Sequence, residues 1–180
     1  MNTVVVVGFG SFGDVTNNPS AAIAAALDGC VLDGVAIVGR EMPVSYDRSI
    51  GLCALLLART RAVALIGIGV AMDRSAVAVE RYGRRPQASA RLDVDHCAAS
   101  GALPDGPDRV EATVDCVRLA DRLGVAISDD AGDYVCNSWL YQAAQRFTVD
   151  VGFIHVPPLG MDSGSLLSAI ASMWGDGSAG

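Results

Sequence analysis

Residues 3–13 read TVVVVGFGSFG and contain four consecutive valines, Val4 to Val7. A short β-branched run of this kind is typical of a strand that is buried on both of its faces. Asn18 and Pro19 follow as an N-cap residue and a first helical residue, directly before the helix-forming run SAAIAAAL. The start of the chain therefore predicts a central strand that leads into a helix.

The same alternation of strand and helix continues along the chain. Further strands are predicted over 34–39, 62–70, 75–83, 124–128 and 149–158, and further helices over 47–60, 110–123, 134–146 and 163–174. Residues 83–109 are rich in Arg, Pro, Gly and Asp and are expected to form a long irregular segment, a kind of loop that is often functional. This order of elements predicts an α/β sandwich with a largely parallel sheet.

The composition argues against several classes of function. The chain has 180 residues and a net charge of −7, and all 13 of its cationic residues are arginines. An acidic surface repels phosphate backbones, so no nucleic-acid partner is expected. No apolar stretch is long enough for a membrane helix, and the N-terminus lacks the basic region of a signal peptide. Five widely spaced cysteines without a CxxC pair are typical of a reduced, cytoplasmic protein.

Gly8 to Gly13, GFGSFG, match the G-x-G-x-x-G template of a dinucleotide site. In such a site the helix begins within the glycine run, whereas residues 14–17 separate these glycines from the predicted helix. The alternative is a turn that displays Phe9 and Phe12 at a strand end. These rings would belong either to the core or to the wall of an apolar pocket.

Cys136 and His155 have the chemistry of a nucleophile and a base. Cys136 stands at the predicted start of a helix, where the helix dipole favours a thiolate; an inert buried thiol is the alternative. The chain has two histidines, so a histidine base must be His155 or His96. The position near a strand end favours His155, although an isolated histidine there is also typical of a core. The other cysteines are interpreted as inert: Cys30, Cys53, Cys97 and Cys116.

Glu80 ends the alternating run SAVAVE, in which it shares a face with Ala76 and Ala78. A carboxylate in a buried strand needs a partner. That partner would be an imidazole, oriented as in a Ser–His–Asp triad, or a neighbouring arginine: Arg81, Arg84 or Arg91. Residues 93–97, DVDHC, also hold metal-ligand types, but no second cluster stands at ligand spacing, and the segment is interpreted as a solvated loop.

Four stretches resemble the pyroglutamyl peptidase I family of cysteine peptidases. They are VVVVGFGSFGDVTNNPS (4–20), GIGVAMDRSAVAVERYGRR (67–85), ISDDAGDYVCNSWLYQAA (127–144) and FIHVPPLG (153–160). The resemblance covers most of the chain. It runs from Val4 to about Leu167 and implies an α/β/α sandwich around a largely parallel, mixed sheet. It also implies removal of an N-terminal pyroglutamyl residue from peptides, without a metal or organic cofactor. The chain length predicts a single domain over 1–180, and the Gly/Ser/Ala-rich residues 175–180 are expected to be a flexible tail.

The resemblance also implies a role for each matched residue. Cys136 would be the nucleophile, His155 its base, and Glu80 the residue that orients His155. The matched substrate-binding positions are Phe9, Phe12, Val70, Leu92, Tyr134 and Val135, with Arg91 beside Leu92. Since Glu80 and His155 end two predicted strands and Cys136 follows a third, we expect all three to meet at one edge of the sheet.

The chain departs from the family pattern at several positions. Ser11 replaces a proline, Val70 stands where many bacterial members have a glutamine that helps to hold the substrate, and residues 84–87 differ from the usual stretch. Two alternatives therefore stay open: a cysteine hydrolase of the same fold that acts on another small lactam or amide, and a non-catalytic ligand-binding domain. The expected partners are pyroglutamylated peptides and further copies of the chain, as a dimer or tetramer.

Overall fold

The computed structural model describes residues 1–86, 91–99 and 106–175, which form nine strands and five helices. The strands are β1 (Asn2–Phe9), β2 (Val31–Leu32), β3 (Val35–Met42), β4 (Ala64–Val70), β5 (Ala78–Glu80), β6 (Tyr82–Arg84), β7 (Arg109–Glu111), β8 (Ala126–Ser128) and β9 (Asp150–Val156). The helices are α1 (Pro19–Leu27), α2 (Arg48–Thr60), α3 (Cys116–Leu123), α4 (Val135–Arg146) and α5 (Ser163–Trp174). Gln87 of the divergent stretch and residues 176–180 of the expected tail lie outside the described residues.

Seven strands form one sheet in the order β2-β3-β1-β4-β9-β5-β8. The four central strands β3, β1, β4 and β9 are parallel to one another. The sheet changes direction at both sides, because β2 is antiparallel to β3 and β5 is antiparallel to β9, with β8 parallel to β5. Strands β6 and β7 form a separate antiparallel pair. The predicted α/β sandwich with a mostly parallel, mixed sheet is confirmed.

Helices pack on both faces of this sheet, α1, α3 and α5 on one face and α2 and α4 on the other. The valines of β1 are completely buried, as expected for a central strand covered on both faces. Gly8 allows the close packing of α1 on β1, since a Cβ atom there would lie 1.9 Å from the carbonyl oxygen of Ser20. Within the described ranges, no helix is long and apolar enough to cross a bilayer.

The predicted helix over 110–123 is wrong in its first half. Residues 109–111 form β7, and the helix begins only at Cys116, where the Asp115 side chain accepts a hydrogen bond from the backbone N–H of Arg118 at 2.9 Å. The β-branched residues Val110, Thr113 and Val114 favour an extended backbone. Pairing with β6 provides hydrogen-bond partners for the backbone of β7, and nothing in the local sequence indicated this pairing.

The predicted strand over 75–83 is two short strands. β5 covers only Ala78–Glu80, and the chain then leaves the main sheet and forms β6 with its partner β7. The predicted irregular segment over 83–109 therefore begins and ends in this small two-stranded sheet. The remaining predicted elements agree with the structure to within a few residues at their ends.

Asn18 joins the end of β1 to the start of α1. Its side-chain oxygen accepts from the backbone N–H of Ser20 at 3.1 Å, and its amide donates to the carbonyl of Gly10 at 3.0 Å. The Ser20 hydroxyl in turn accepts from the N–H of Phe9 at 2.9 Å. This network holds the loop that carries Phe12 against the helix.

We predict that Asn18→Ala lowers the free energy of unfolding by about 2 kcal/mol, because it removes both a helix cap and a buried hydrogen bond. Asp162→Ala is the matched control, since Asp162 caps α5 from an exposed position. It should cost about 1 kcal/mol. Urea unfolding of the two variants and the parent protein measures both values, and an equal loss in the two variants would contradict the bridging role of Asn18.

Candidate active site

A cavity of about 460 Å³ opens where β1, β4 and β9 end and α4 begins. Seven of the residues singled out from the sequence line it: Phe9, Phe12, Val70, Tyr134, Val135, Cys136 and His155. Glu80 lies behind His155 and is completely buried. Leu92 is the exception, because its side chain is 49% exposed and lies outside the described lining of the cavity.

Cys136, His155 and Glu80 form one connected chain of contacts. The imidazole of His155 is 5% exposed and lines the same cavity as Cys136, near enough for that thiol to raise its pKa. Its Nδ1 lies 2.8 Å from Oε1 of Glu80, and since a carboxylate can only accept, Nδ1 is the donor. The second ring nitrogen is therefore left for the thiol. This is the arrangement of nucleophile, base and orienting acid that activates a thiol.

The environment of His155 favours its charged form. Burial by itself would lower the pKa of this imidazole, but the charge of Cys136, the hydrogen bonds to Cys136 and Glu80, and the charge of Glu80 together raise its pKa to about 9. A histidine with this pKa carries its proton at neutral pH. It is then a ready acid for a leaving group.

Glu80 reaches His155 across an antiparallel strand pair, which the sequence argument did not foresee. Ala78 lies opposite His155, and Glu80 lies opposite Phe153, two residues deeper in the sheet. The expectation that the ends of their strands meet at one edge is therefore wrong for Glu80, since β5 runs against β9. The two side chains still meet because Glu80, Ala78 and His155 share one face of the sheet.

Glycines on β4 make room for this site. Gly69 pairs with His155 and Gly67 pairs with Phe153, on the face that α4 covers. A Cβ atom at Gly69 would lie 2.7 Å from Sγ of Cys136, and one at Gly67 would lie 2.7 Å from the ring of Trp139. The side chains of Cys136 and Trp139 can therefore lie directly against the backbone of β4.

Aromatic rings form the floor and the rim of the cavity. Phe9 is buried against Trp139 and Phe153, with ring centroids 6.3 and 6.2 Å apart. Phe12 and Tyr134 lie nearer to the opening, 6.0 Å apart. The guanidinium carbon of Arg91 lies 4.2 Å from the ring centroid of Tyr134 and 5.8 Å from that of Phe12. The cavity thus offers apolar faces to a small ring, with a cation at its rim.

The segment that carries Arg91 is held by a buried carboxylate. Asp93 is buried and accepts from the backbone N–H groups of Tyr46, Asp95 and Cys97, each at 2.9 Å. These hydrogen bonds hold the pKa of Asp93 below its usual value, although burial acts in the opposite direction. The cluster at 93–97 is therefore a structural clamp, and it contributes to the site by fixing the position of Arg91.

Arg74 is a site residue that sequence reasoning missed. Its NH1 lies 2.5 Å from Oε1 of Glu80, so Glu80 has both an imidazole partner and an arginine partner. The arginines considered from the sequence, Arg81 and Arg84, pair with Asp129 and Asp130 instead. Arg74 lies in the turn between β4 and β5, where its backbone N–H donates to the carbonyl of Ala71 at 3.2 Å, so no periodic signal along a strand could have identified it.

The other cysteines and the second histidine lie apart from this chemistry. Burial raises the pKa of Cys53 to about 12 and that of Cys116 to about 11, which keeps both as neutral thiols. His96 is exposed, in a turn with a left-handed backbone. Of the two histidines, His155 lines the cavity together with Cys136. The glycine run does not hold a helix N-terminus, since α1 begins only at Pro19.

The chain is similar in sequence to known peptidases. A family profile described as pyroglutamyl peptidase matches residues 2–163. A pyrrolidone-carboxylate peptidase of Mycobacterium marinum is 30% identical and is aligned over 89% of this chain and 79% of its own length. A pyrrolidone-carboxylate peptidase of Mycobacterium tuberculosis strain H37Rv is 29% identical, over 96% of this chain and 89% of its own length.

Solved structures agree with the fold. The pyrrolidone carboxyl peptidase of Pyrococcus furiosus superposes with a TM-score of 0.81 at 25% identity, over 93% of this chain and 94% of that chain. The enzyme of the same name from Thermococcus litoralis gives 0.81 at 25% identity, over 94% and 90%.

We predict that Gly69→Ala lowers kcat/KM by about 100-fold, because the new methyl group displaces the Cys136 sulfur, and a misplacement of about 1 Å can cost that much. Gly51→Ala is the control, since a Cβ atom at this exposed position of α2 meets nothing within 4 Å. Steady-state kinetics, with a thermal melt of each variant, test this. Activity of a folded Gly69→Ala protein close to that of Gly51→Ala would show that the sulfur position is not constrained by β4.

Proposed function

The chain belongs to the pyroglutamyl peptidase family and is a peptidase of the pyroglutamyl type, and from this premise we propose that Cys136, His155 and Glu80 are its catalytic machinery. The observation that carries the assignment is the hydrogen bond between the His155 imidazole and the buried Glu80, at a cavity that Cys136 and His155 line together. The substrate would be a peptide whose first residue is 5-oxoproline. Its lactam has no free amine, so recognition needs apolar contact with a few hydrogen bonds and no obligatory ion pair.

In the first half of the reaction, the sulfur of Cys136 attacks the carbonyl carbon of the pyroglutamyl residue while His155 holds the thiol proton. The backbone N–H groups of the first turn of α4 have no acceptor within the helix and point toward the helix start. They would stabilise the tetrahedral oxyanion there. His155 then donates its proton to the leaving amine, and the C–N bond breaks to give a thioester on Cys136.

In the second half, His155 accepts a proton from water as the water attacks the thioester. The C–S bond breaks, 5-oxoproline leaves, and the thiol recovers its proton. Glu80 keeps Nδ1 of His155 occupied throughout, so that the other ring nitrogen always faces the sulfur. Every step uses side chains and backbone groups of this chain together with water.

The residues that line the cavity are suited to binding a planar lactam ring. Phe12 and Tyr134 provide faces near the opening, and Val135 adds an apolar contact beside the nucleophile. Val70, which lines the cavity where a glutamine is common, gives no hydrogen bond from its side chain. We infer that backbone groups in this chain recognise the lactam oxygen and N–H.

All five cysteines are free thiols, which supports a reducing compartment and hence our proposal of a cytoplasmic location. Assembly of the chain into a dimer or a tetramer stays a prediction.

We predict that Cys136→Ala abolishes release of a fluorogenic amine from a pyroglutamyl amide, while its melting temperature stays near that of the parent protein. A proline amide serves as the substrate control, since it has the same ring size without the lactam carbonyl. Cys30→Ala is the matched variant, because this thiol lies just beyond α1 and bonds only locally, to the carbonyl of Ala26. Full activity in Cys136→Ala would exclude the cysteine mechanism.

We predict that Glu80→Gln loses activity less completely, by an amount within the roughly 10²- to 10⁴-fold that acid–base catalysis contributes. The carboxylate helps to raise the pKa of His155 to about 9, so its removal should lower this pKa. The alkaline limb of the kcat/KM profile reports deprotonation of the imidazolium and should therefore move below its parent position near pH 9. Glu111→Gln, at an exposed position of β7, controls for loss of a charge. An unmoved alkaline limb would mean that Glu80 is not the partner of the working histidine.

A further inference from the structure

Arg74 joins three parts of the molecule with one side chain. It lies in the connection between β4 and β5 and lines the cavity, yet its side chain is only 26% exposed. NH1 contacts Oε1 of Glu80 at 2.5 Å, and NH2 donates to Oγ of Ser128 at 3.2 Å and to the carbonyl of Asp130 at 2.6 Å. These partners belong to β5, to β8 and to the segment that leads to the nucleophile.

Glu80 depends on this contact for its orientation. Both Arg74 and His155 bind the same oxygen, Oε1. The other oxygen, Oε2, is buried and has no hydrogen-bond partner among the described residues. A carboxylate held at one oxygen by a single imidazole can rotate, whereas a second, charged donor at that oxygen fixes its direction. The arginine also provides the opposite charge that a fully buried carboxylate needs.

The second guanidinium nitrogen extends this effect toward the thiol. Ser128 Oγ contacts both the N–H and the carbonyl of Asp130 at 3.2 Å, and Oδ1 of Asp130 accepts from the N–H of Gly132 at 3.0 Å. This turn leads directly to Tyr134, the N-cap of the helix that carries Cys136. Arg74 therefore holds Glu80 and the segment that leads to Cys136 in fixed positions relative to each other.

We propose that Arg74 is a positioning residue of the hydrolytic reaction, which fixes Glu80 so that the carboxylate holds His155 in register with Cys136. It acts through Glu80 and not by binding substrate. This inference rests on the roles proposed above for Glu80 and His155. Residues that orient metal-binding histidines are worth about 10- to 100-fold in activity, and we expect a loss of that order in kcat for Arg74→Gln, with little change in KM.

A double-mutant cycle tests whether Arg74 acts through Glu80. The four proteins are the parent, Arg74→Gln, Glu80→Gln and the double variant, each assayed with the pyroglutamyl amide. We expect Arg74→Gln to lower kcat about 10- to 100-fold in the parent protein. In the Glu80→Gln protein the same substitution should lower kcat by no more than about twofold, which is the usual error when the effects of independent sites are added. If the loss of kcat in the double variant equals the product of the losses in the two single variants, Arg74 does not act through Glu80 and the proposal is overturned. An effect of Arg74→Gln on KM also overturns it, in favour of direct contact with the substrate.

Arg84→Gln is the matched control for a merely structural role. Arg84 pairs with Asp130 at 3.1 Å, on the same turn, but it is largely exposed and does not contact Glu80. Exposed pairs contribute little, so this variant should keep activity within about twofold. An equal loss in Arg84→Gln and Arg74→Gln would show that support of the turn, and not orientation of Glu80, accounts for the effect.

Chemical rescue gives a second readout that does not depend on the stability of the variants. Arg74→Ala leaves a guanidinium-sized space beside the cavity, and guanidinium chloride at low millimolar concentration should restore activity to the Arg74→Ala protein. It should not restore activity when Glu80→Gln is also present. Absence of rescue in a folded Arg74→Ala protein overturns the proposal. If Glu80→Gln alone has no effect on activity, the catalytic assignment itself has failed, whatever Arg74 does.

Discussion

A hydrogen bond of 2.8 Å joins His155 to Glu80 at the place where the central sheet changes from parallel to antiparallel. The reversal of β5 places Glu80 deeper in the sheet than His155, so the carboxylate approaches the imidazole from the interior and not from solvent. On that side water is excluded, and in a low-dielectric interior a hydrogen bond is stronger and an unpaired charge is costly. The direction of one three-residue strand therefore decides from which side the carboxylate reaches His155 and which ring nitrogen of His155 it occupies.

The same face of the sheet combines very small and very large side chains. Gly67 and Gly69 leave β4 bare, while Phe153 and Trp139 fill the space beside them, with their ring centroids 5.5 Å apart. Close packing of this kind leaves little freedom for a neighbouring side chain to shift. The Cys136 sulfur consequently sits against backbone, in a position set by the core and not by a flexible loop. The position of the Cys136 sulfur is therefore constrained by a strand that has no side chains at Gly67 and Gly69.

Two buried carboxylates organise opposite ends of the cavity by different means. Asp93 accepts three backbone N–H groups and fixes the segment that presents Arg91 to Tyr134 and Phe12 at the rim. Glu80 accepts two side chains, an imidazole and a guanidinium, at the base of the cavity. The first carboxylate fixes a segment at the rim of the cavity, and the second orients His155, the residue that we propose as the base. Each stays in place because buried charges without such partners are strongly unfavourable.

The sequence by itself determined the elements whose signals are local. The valines of β1, the Asn18–Pro19 helix start and the apolar run of β4 each specify their own conformation, and the motifs around Cys136 and His155 singled out the two residues that we propose as nucleophile and base. Where partners are distant in sequence, local signals failed: residues 109–111 became a strand only because β6 lies beside them. The approach of Glu80 to His155, and the choice of Arg74 over Arg81 as its arginine, depend on strand direction and on which side chains share a face of the completed sheet. Only the tertiary structure decides these, because they follow from pairing between segments as far apart as 75 residues and not from any pattern within one of them.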